Sequence, residues 1–200
     1  MNHKPAAHVV AFFGKTGAGK TSAINRLFGL SWPTDNAEAC TKQLHRHVAS
    51  VQVAGQREQR PLVVIDTPGI AESEQADDDY FACYSEALEQ ARTVVWLFQA
   101  DTRVYRPDQI ALLTFVPLCS PQTRWVIGLN HIDRIGPGEW DVEANRPSPA
   151  QSISIAEKIV DVNRRLAKYL PFLEGDVVPL SAHYGYGFDE LRHRIAQLNA

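Results

Sequence analysis

Eight residues, Gly14-Lys15-Thr16-Gly17-Ala18-Gly19-Lys20-Thr21, restrict the folds open to this chain more than any other stretch. They satisfy the spacing Gly-x-x-x-x-Gly-Lys-Ser/Thr. In front of them stands His8-Val9-Val10-Ala11-Phe12-Phe13, an apolar run of strand length. Behind comes Ser22-Ala23-Ile24-Asn25-Arg26-Leu27-Phe28, with Ile24, Leu27 and Phe28 at helical spacing. A strand, a glycine-rich turn and a helix in that order make a cradle for phosphate. Gly14, Gly17 and Gly19 let the backbone curl so that its N–H groups point inward. The start of the helix adds its positive end. The Lys20 ammonium reaches the outer phosphates, and the Thr21 hydroxyl is placed to meet Mg2+.

The 200 residues suffice for one α/β domain with a real core. With 44% hydrophobic and 22% charged residues the balance is that of a globular protein. A net charge of −3 carries no nucleic-acid signal, and a basic pair such as Arg164-Arg165 reads as a solvated helix face. Cys40, Cys83 and Cys119 are scattered without metal spacing, which suggests reduced thiols in a cytoplasmic protein. No apolar run reaches membrane-spanning length. Lys4 before an apolar run faintly echoes a secretion signal, but cleavage there would remove the first strand.

Read in order, the chain alternates strands and helices. The first strand covers about 8–13 and the first helix about 20–28, closed by Gly29. Residues 30–43 are polar and irregular. A second strand at about 44–54 offers Leu44, Val48, Val51 and Val53 as its apolar positions, and 55–60 reads as a hairpin turn. Pro61-Leu62-Val63-Val64-Ile65-Asp66 is continuously apolar before its acid, hence a strand buried on both faces. Residues 70–78 read as solvated. A helix over 78–91 turns Phe81, Tyr84, Leu88 and Ala91 inward. Strands at 93–98, 124–129 and 176–180 alternate with helices at 107–116, 150–169 and 188–198, with a long loop over 135–149. The expectation is a six-stranded, mostly parallel α/β sheet with helices on both faces, one domain spanning 1–200. Asp66-Thr67-Pro68-Gly69 follows a buried strand, where such a sheet places its ligand: Asp66 is the natural partner for the metal and the Gly69 N–H for the terminal phosphate.

Each strand end thus carries a polar signature, and together they resemble the G domain of the small GTPases, a P-loop NTPase fold. Asp66-Thr67-Pro68-Gly69 matches D-x-x-G. Asn130-His131-Ile132-Asp133 resembles N-K-x-D, and Ser181-Ala182-His183 resembles S-A-K, each with His in place of Lys. The resemblance covers about 8–198 and points to the Era-type branch of the translation-factor-related GTPases. The stretch from Glu139 to Gln151 looks like a bacterial group of predicted Era-like GTPases, while the wording of the phosphate loop also resembles septin-like and AIG-type GTPases.

The resemblance implies GTP or GDP with Mg2+ as ligands, held by residues 14–22 including Ser22. Lys20, Thr41 and Gly69 would act on the transferred phosphoryl group, and Thr21, Thr41 and Asp66 would serve the metal. Thr34 is a weaker alternative to Thr41 because it lies further from the second strand. Asp133 would accept from guanine N1–H and the exocyclic amine. Adenine offers neither donor, so a buried Asp would go unpaired against it. Asn130 would tie the strand-end loops together, Ala182 N–H would donate to guanine O6, His131 would stack on the base, and His183 would lie near it or at the surface. Catalysis is where the residues depart from the family: Ile70 stands where a water-orienting Gln is common, and Gly17 where some relatives carry an Asn that anchors K+. The reading is a conformational switch with slow hydrolysis that needs a protein partner or self-association. The alternatives are a module that senses GTP or GDP and hardly hydrolyses it, and an ATP-dependent enzyme with degenerate base motifs.

Other features have plainer readings. His45 and His47 share one strand face without a third metal ligand. Trp32 either covers the nucleotide, anchors the loop or packs. Trp140 pins the long loop or meets a partner. Arg103 and Arg106 read as solvated, and Asp77-Asp78-Asp79 as a helix cap.

Overall fold

The computed structural model describes residues 8–34, 44–52, 59–71, 73–170 and 177–197. Thr41, most of the 30–43 connection and the tip of the 53–58 hairpin lie outside the described residues. The elements are β1 (His8–Gly14), α1 (Lys20–Phe28), β2 (His45–Gln52), β3 (Gln59–Asp66), α2 (Glu74–Gln90), β4 (Thr93–Gln99), α3 (Arg106–Phe115), β5 (Arg124–Asn130), α4 (Pro149–Leu166), β6 (Val177–Pro179) and α5 (Phe188–Ala196).

They build one six-stranded sheet of order β2-β3-β1-β4-β5-β6, in which only the β2–β3 pair is antiparallel. The alternation of β1 shows why two layers of helix are needed. Ala11 and Phe13 face one core, with Trp96, Phe98, Ile127 and residues of α2, α3 and α4. Val10 and Phe12 face the other, with Val95, Leu97, Val126 and residues of α1 and α5. A parallel central strand is buried on both sides, and its near-continuous apolar run records that.

Two expected faces are corrected. Val48 is 71% exposed, because β2 is an edge strand whose inward positions are His45, His47 and Ala49, set by antiparallel register against β3. Phe81 is 44% exposed: α2 starts at Glu74, four residues before the expected start, and buries Tyr84, Ala87 and Leu88, leaving Phe81 at the edge of the stripe. Ser73, not the acidic run, caps α2 by accepting from Ala76 N–H. No described helix is long and apolar enough to cross a membrane, and no cluster of metal-ligating side chains occurs among the described residues.

Candidate functional site

The strand order brings the signature loops together at one sheet edge. β1 lies between β3 and β4, so the loops after β1 and β3 emerge side by side. The pairing continues past the strands: Ile70 N–H donates to Gly14 O (3.2 Å) and Thr16 N–H to Ile70 O (3.1 Å). Gly69 is pressed against Thr16 so closely that a Cβ there would collide with the Thr16 side chain and backbone. The Thr67 hydroxyl donates to Phe12 O at 2.7 Å, and the Tyr84 hydroxyl from α2 donates to Gly69 O at 3.0 Å.

Within the phosphate loop, Gly17 and Gly19 adopt φ of 78° and 82°, values that only glycine takes freely. The backbone N–H groups of Gly17, Gly19, Lys20 and Thr21 meet no acceptor among the described residues. Four donors turned into one concavity at a helix start form an anion-binding nest. Lys20 lies over it, 7% exposed, with its ammonium donating to Gly14 O (3.0 Å) and Lys15 O (3.4 Å). Burial lowers its pKa to about 8 against the opposing pull of Asp66.

The Thr21 hydroxyl donates to Asp66 Oδ2 at 2.6 Å. A hydroxyl and a carboxylate converging beside the nest are hard oxygen donors of the kind Mg2+ takes, so the residues present fit that ion. Thr34 is exposed, and Thr41 lies outside the described residues.

At the base end, Asn130 is the organiser. It is 1% exposed; its Nδ2 donates to Ala18 O (3.0 Å) and its Oδ1 accepts from Ala182 N–H (3.1 Å). One side chain thereby joins three loops. The Ala182 N–H, expected to face guanine O6, is committed to Asn130 in this conformation. The Asp133 carboxylate is half-buried and makes no hydrogen bond to any described residue. His131 sits at φ 65° beside Gly19, where a Cβ would come within 3.4 Å of its Nε2. Burial and then the charge of Arg134 hold its pKa below the ordinary value, so the ring is neutral at pH 7. Ser181 is buried and its Oγ accepts from Tyr184 N–H, whereas His183 is exposed and packs edge-on against Tyr184.

Several side chains take roles beyond their sequence expectations. Lys15, expected among the phosphate ligands, turns its side chain away: Nζ lies 3.1 Å from Asp108 Oδ2 and donates to Val104 O at 2.7 Å. Asp108, 0% exposed, also accepts from Trp96 Nε1 at 3.2 Å. Gln151, 1% exposed, donates to the carbonyls of Asp133 and Ile135 and so braces the base loop from α4. Its signal was present in the sequence: Ser148-x-x-Gln151 is a capping box. Asn25 clasps Trp32 through both amide atoms (2.8 and 3.0 Å), and Trp32 packs edge-on against His45 and His47. Trp32 is therefore an anchor for the start of the 30–43 connection. Trp140 stacks on Tyr184 at 5.2 Å and pins the long loop to the Ser181 loop.

The family model described as 50S ribosome-binding GTPase matches residues 9–127, from β1 through the phosphate loop and Asp66 to β5. The chain belongs to this family. Among curated relatives, the uncharacterized protein YkfA of Escherichia coli (strain K12) is 37% identical over 109 residues, covering 54% of this chain and 35% of that one. The uncharacterized protein YfjP of the same strain is 35% identical over 102 residues, covering 50% and 33%. The chain thus matches about a third of the length of these relatives. A crystal structure of Era in complex with MgGDPNP and a segment of 16S ribosomal RNA superposes with TM-score 0.70 at 23% identity, covering 96% of this chain and 56% of Era. Toc33 from Arabidopsis thaliana gives 0.69 at 14% identity, covering 96% and 84%. Both share the fold of this GTPase-family domain.

Proposed function

We propose that this G domain binds GTP and GDP with Mg2+, hydrolyses GTP slowly, and changes conformation with the state of the nucleotide. The observation that carries the reading is the nest of N–H groups at Gly17, Gly19, Lys20 and Thr21, lidded by the Lys20 ammonium. It offers charge-stabilising donors where a transferred phosphoryl group develops charge. Thr21 and Asp66 would hold Mg2+, with Thr41 completing the set; the ion neutralises charge on the outer phosphates. Asp133 reads the base through guanine N1–H and its amine, His131 lies over the ring, and Asn130, Ser181, Ala182 and His183 shape the base loop. Binding the terminal phosphate would draw on the Gly69 N–H and so would shift Gly69. Gly69 is tied to α2 through Tyr84, so its movement is passed to that helix. The same reading takes the chain as a single G domain working in the cytoplasm and dependent on a protein partner or self-association for fast turnover.

A second reading, a nucleotide sensor with negligible hydrolysis, is favoured by Ile70. That residue stands where a water-orienting side chain would serve, yet it is 4% exposed and packed in the α2–α4 core. Single-turnover measurement of GTP cleavage separates the two. Slow cleavage abolished in Lys20→Ala supports the switch, and rapid cleavage by the isolated chain contradicts both.

A further inference from the structure

Apart from the phosphate loop, a cleft of about 500 Å3 opens between the 100–105 loop, the turn after β5 and one side of α4. None of residues 14–22 lines it. Ser154, Lys158, Asp161 and Arg165 recur along α4 at spacings of four, three and four, so they form one helical stripe facing the cleft. Tyr105 walls the other side. It is 5% exposed and its ring meets two cations, with Lys158 Nζ 4.9 Å and the Arg165 guanidinium carbon 4.6 Å from its centre. Lys158 also donates to Thr102 O, which ties the 100–105 loop to α4. The walls are therefore fixed before any ligand arrives.

The charges lining the cleft do not cancel pair by pair. Asp161 is taken by Arg164 and Arg165 at 2.6 and 2.8 Å, and Asp101 faces Arg134 at 3.7 Å. Burial raises the Asp161 pKa, but the hydrogen bonds from Arg165 and Arg164 overcome it and hold the carboxyl at about 2. What remains, among the described residues, is Arg103, without an acidic partner, and Lys158, which has a carbonyl partner and no ion pair of its own. Burial depresses the Lys158 pKa; Asp161 opposes this, while Arg165 and Arg103 add to it, as expected where cations crowd. Glu157 is the one lining carboxylate left over, on the exposed side of α4. Two available cations against one rim carboxylate suit a singly or doubly charged anion, not a polyphosphate.

We propose that this cleft is a second ligand site, in which Arg103, Lys158 and the Ser154 hydroxyl bind a small oxyanion group, a carboxylate or a phosphomonoester, against the Tyr105 ring. The cleft is separate from the phosphate loop, although Lys15 reaches its 100–105 wall through Val104 O.

The test is a titration of the full chain with inorganic phosphate, and separately with acetate, followed by residue-resolved NMR. The expected result is saturable shifts clustered on 101–105 and 154–158, with an affinity distinct from that of shifts at Gly17 and Gly19. Arg103→Ala and Lys158→Met should each weaken the cleft titration about tenfold, the worth of one charge-assisted contact, and leave the phosphate-loop titration unchanged. Arg103 is exposed and supports no other part of the fold, so its variant folds whatever Lys158→Met does. Saturation by both anions assigns a carboxylate-tolerant site, and saturation by phosphate alone assigns phosphomonoesters. Shifts confined to the phosphate loop, or variants that titrate as the wild type does, overturn the proposal.

Discussion

Replacing Lys15 by Met should cost the nucleotide-free domain about 3–4 kcal/mol at pH 7. The side chain is 11% exposed and its partner Asp108 is 0% exposed, so solvent screens the pair little. Breaking a buried pair by removing one member typically costs about 3–5 kcal/mol, because the other charge is left uncompensated. Here the loss has a ceiling. Asp108 escapes by taking up a proton, which relative to an unfolded carboxyl of pKa about 3.9 costs about 1.36 kcal/mol per pH unit, or about 4 kcal/mol at pH 7 and about 1.5 at pH 5. Burial already raises the Asp108 pKa, while Lys15 pulls it back. A carboxyl whose folded pKa lies above its unfolded value favours folding more as pH falls, and removing Lys15 widens that difference. The penalty for Lys15→Met must therefore shrink between pH 7 and pH 5. Urea unfolding of wild type and variant at both pH values, with matching m-values, measures it. Lys15→Met with Asp108→Leu should recover most of the loss, since an apolar pair of similar volume needs no counter-charge. A penalty below about 1 kcal/mol at pH 7, or one that does not change with pH, would refute the idea that Lys15 works inward on α3.

The depressed pKa of Lys20, about 8 through burial, implies that the nucleotide-free protein gains stability as pH rises from about 8 towards 10.4, where the unfolded lysine still holds its proton. Phosphate would restore that charge, so GDP binding at pH 8.5 should take up about three-quarters of a proton, read from calorimetry in buffers of different ionisation enthalpy; Lys20→Met should lose the uptake. Asn130→Ala removes bonds to both Ala18 O and Ala182 N–H and should lower stability by about 2–3 kcal/mol. It should also weaken nucleotide binding, and chemical unfolding with and without GDP reports both.

The order of elements was legible because each signature sits at a strand end: Thr21 and Asp66 were paired from the sequence and lie 2.6 Å apart. The tie that Asn130 makes between loops was implied by the family resemblance of Asn130-His131-Ile132-Asp133 and not by the strand pattern. What escaped depends on contacts distant in sequence. Lys15, in the loop after β1, and Asp108, in the first turn of α3, meet because β1 and β4 are neighbours, Gly14 pairing with Leu97. Residue type misled at Val48, since an edge strand takes its facing from hydrogen-bond register, and there the histidines point inward. Phe81 failed because the buried residues of α2, Tyr84, Ala87 and Leu88, centre its inward stripe to one side of Phe81. Thr41 keeps its expected role as a proposal, since it lies outside the described residues.

The most direct test of the central claim is a titration of GTP, GDP and ATP with Mg2+ on the wild type and on Asp133→Asn. The substitution replaces one acceptor by a donor facing the base. The account predicts that the wild type prefers guanine nucleotides over ATP and that the variant shifts towards xanthine nucleotides. Equal binding of ATP and GTP, unchanged in the variant, would contradict it and leave a phosphate-binding domain indifferent to the base.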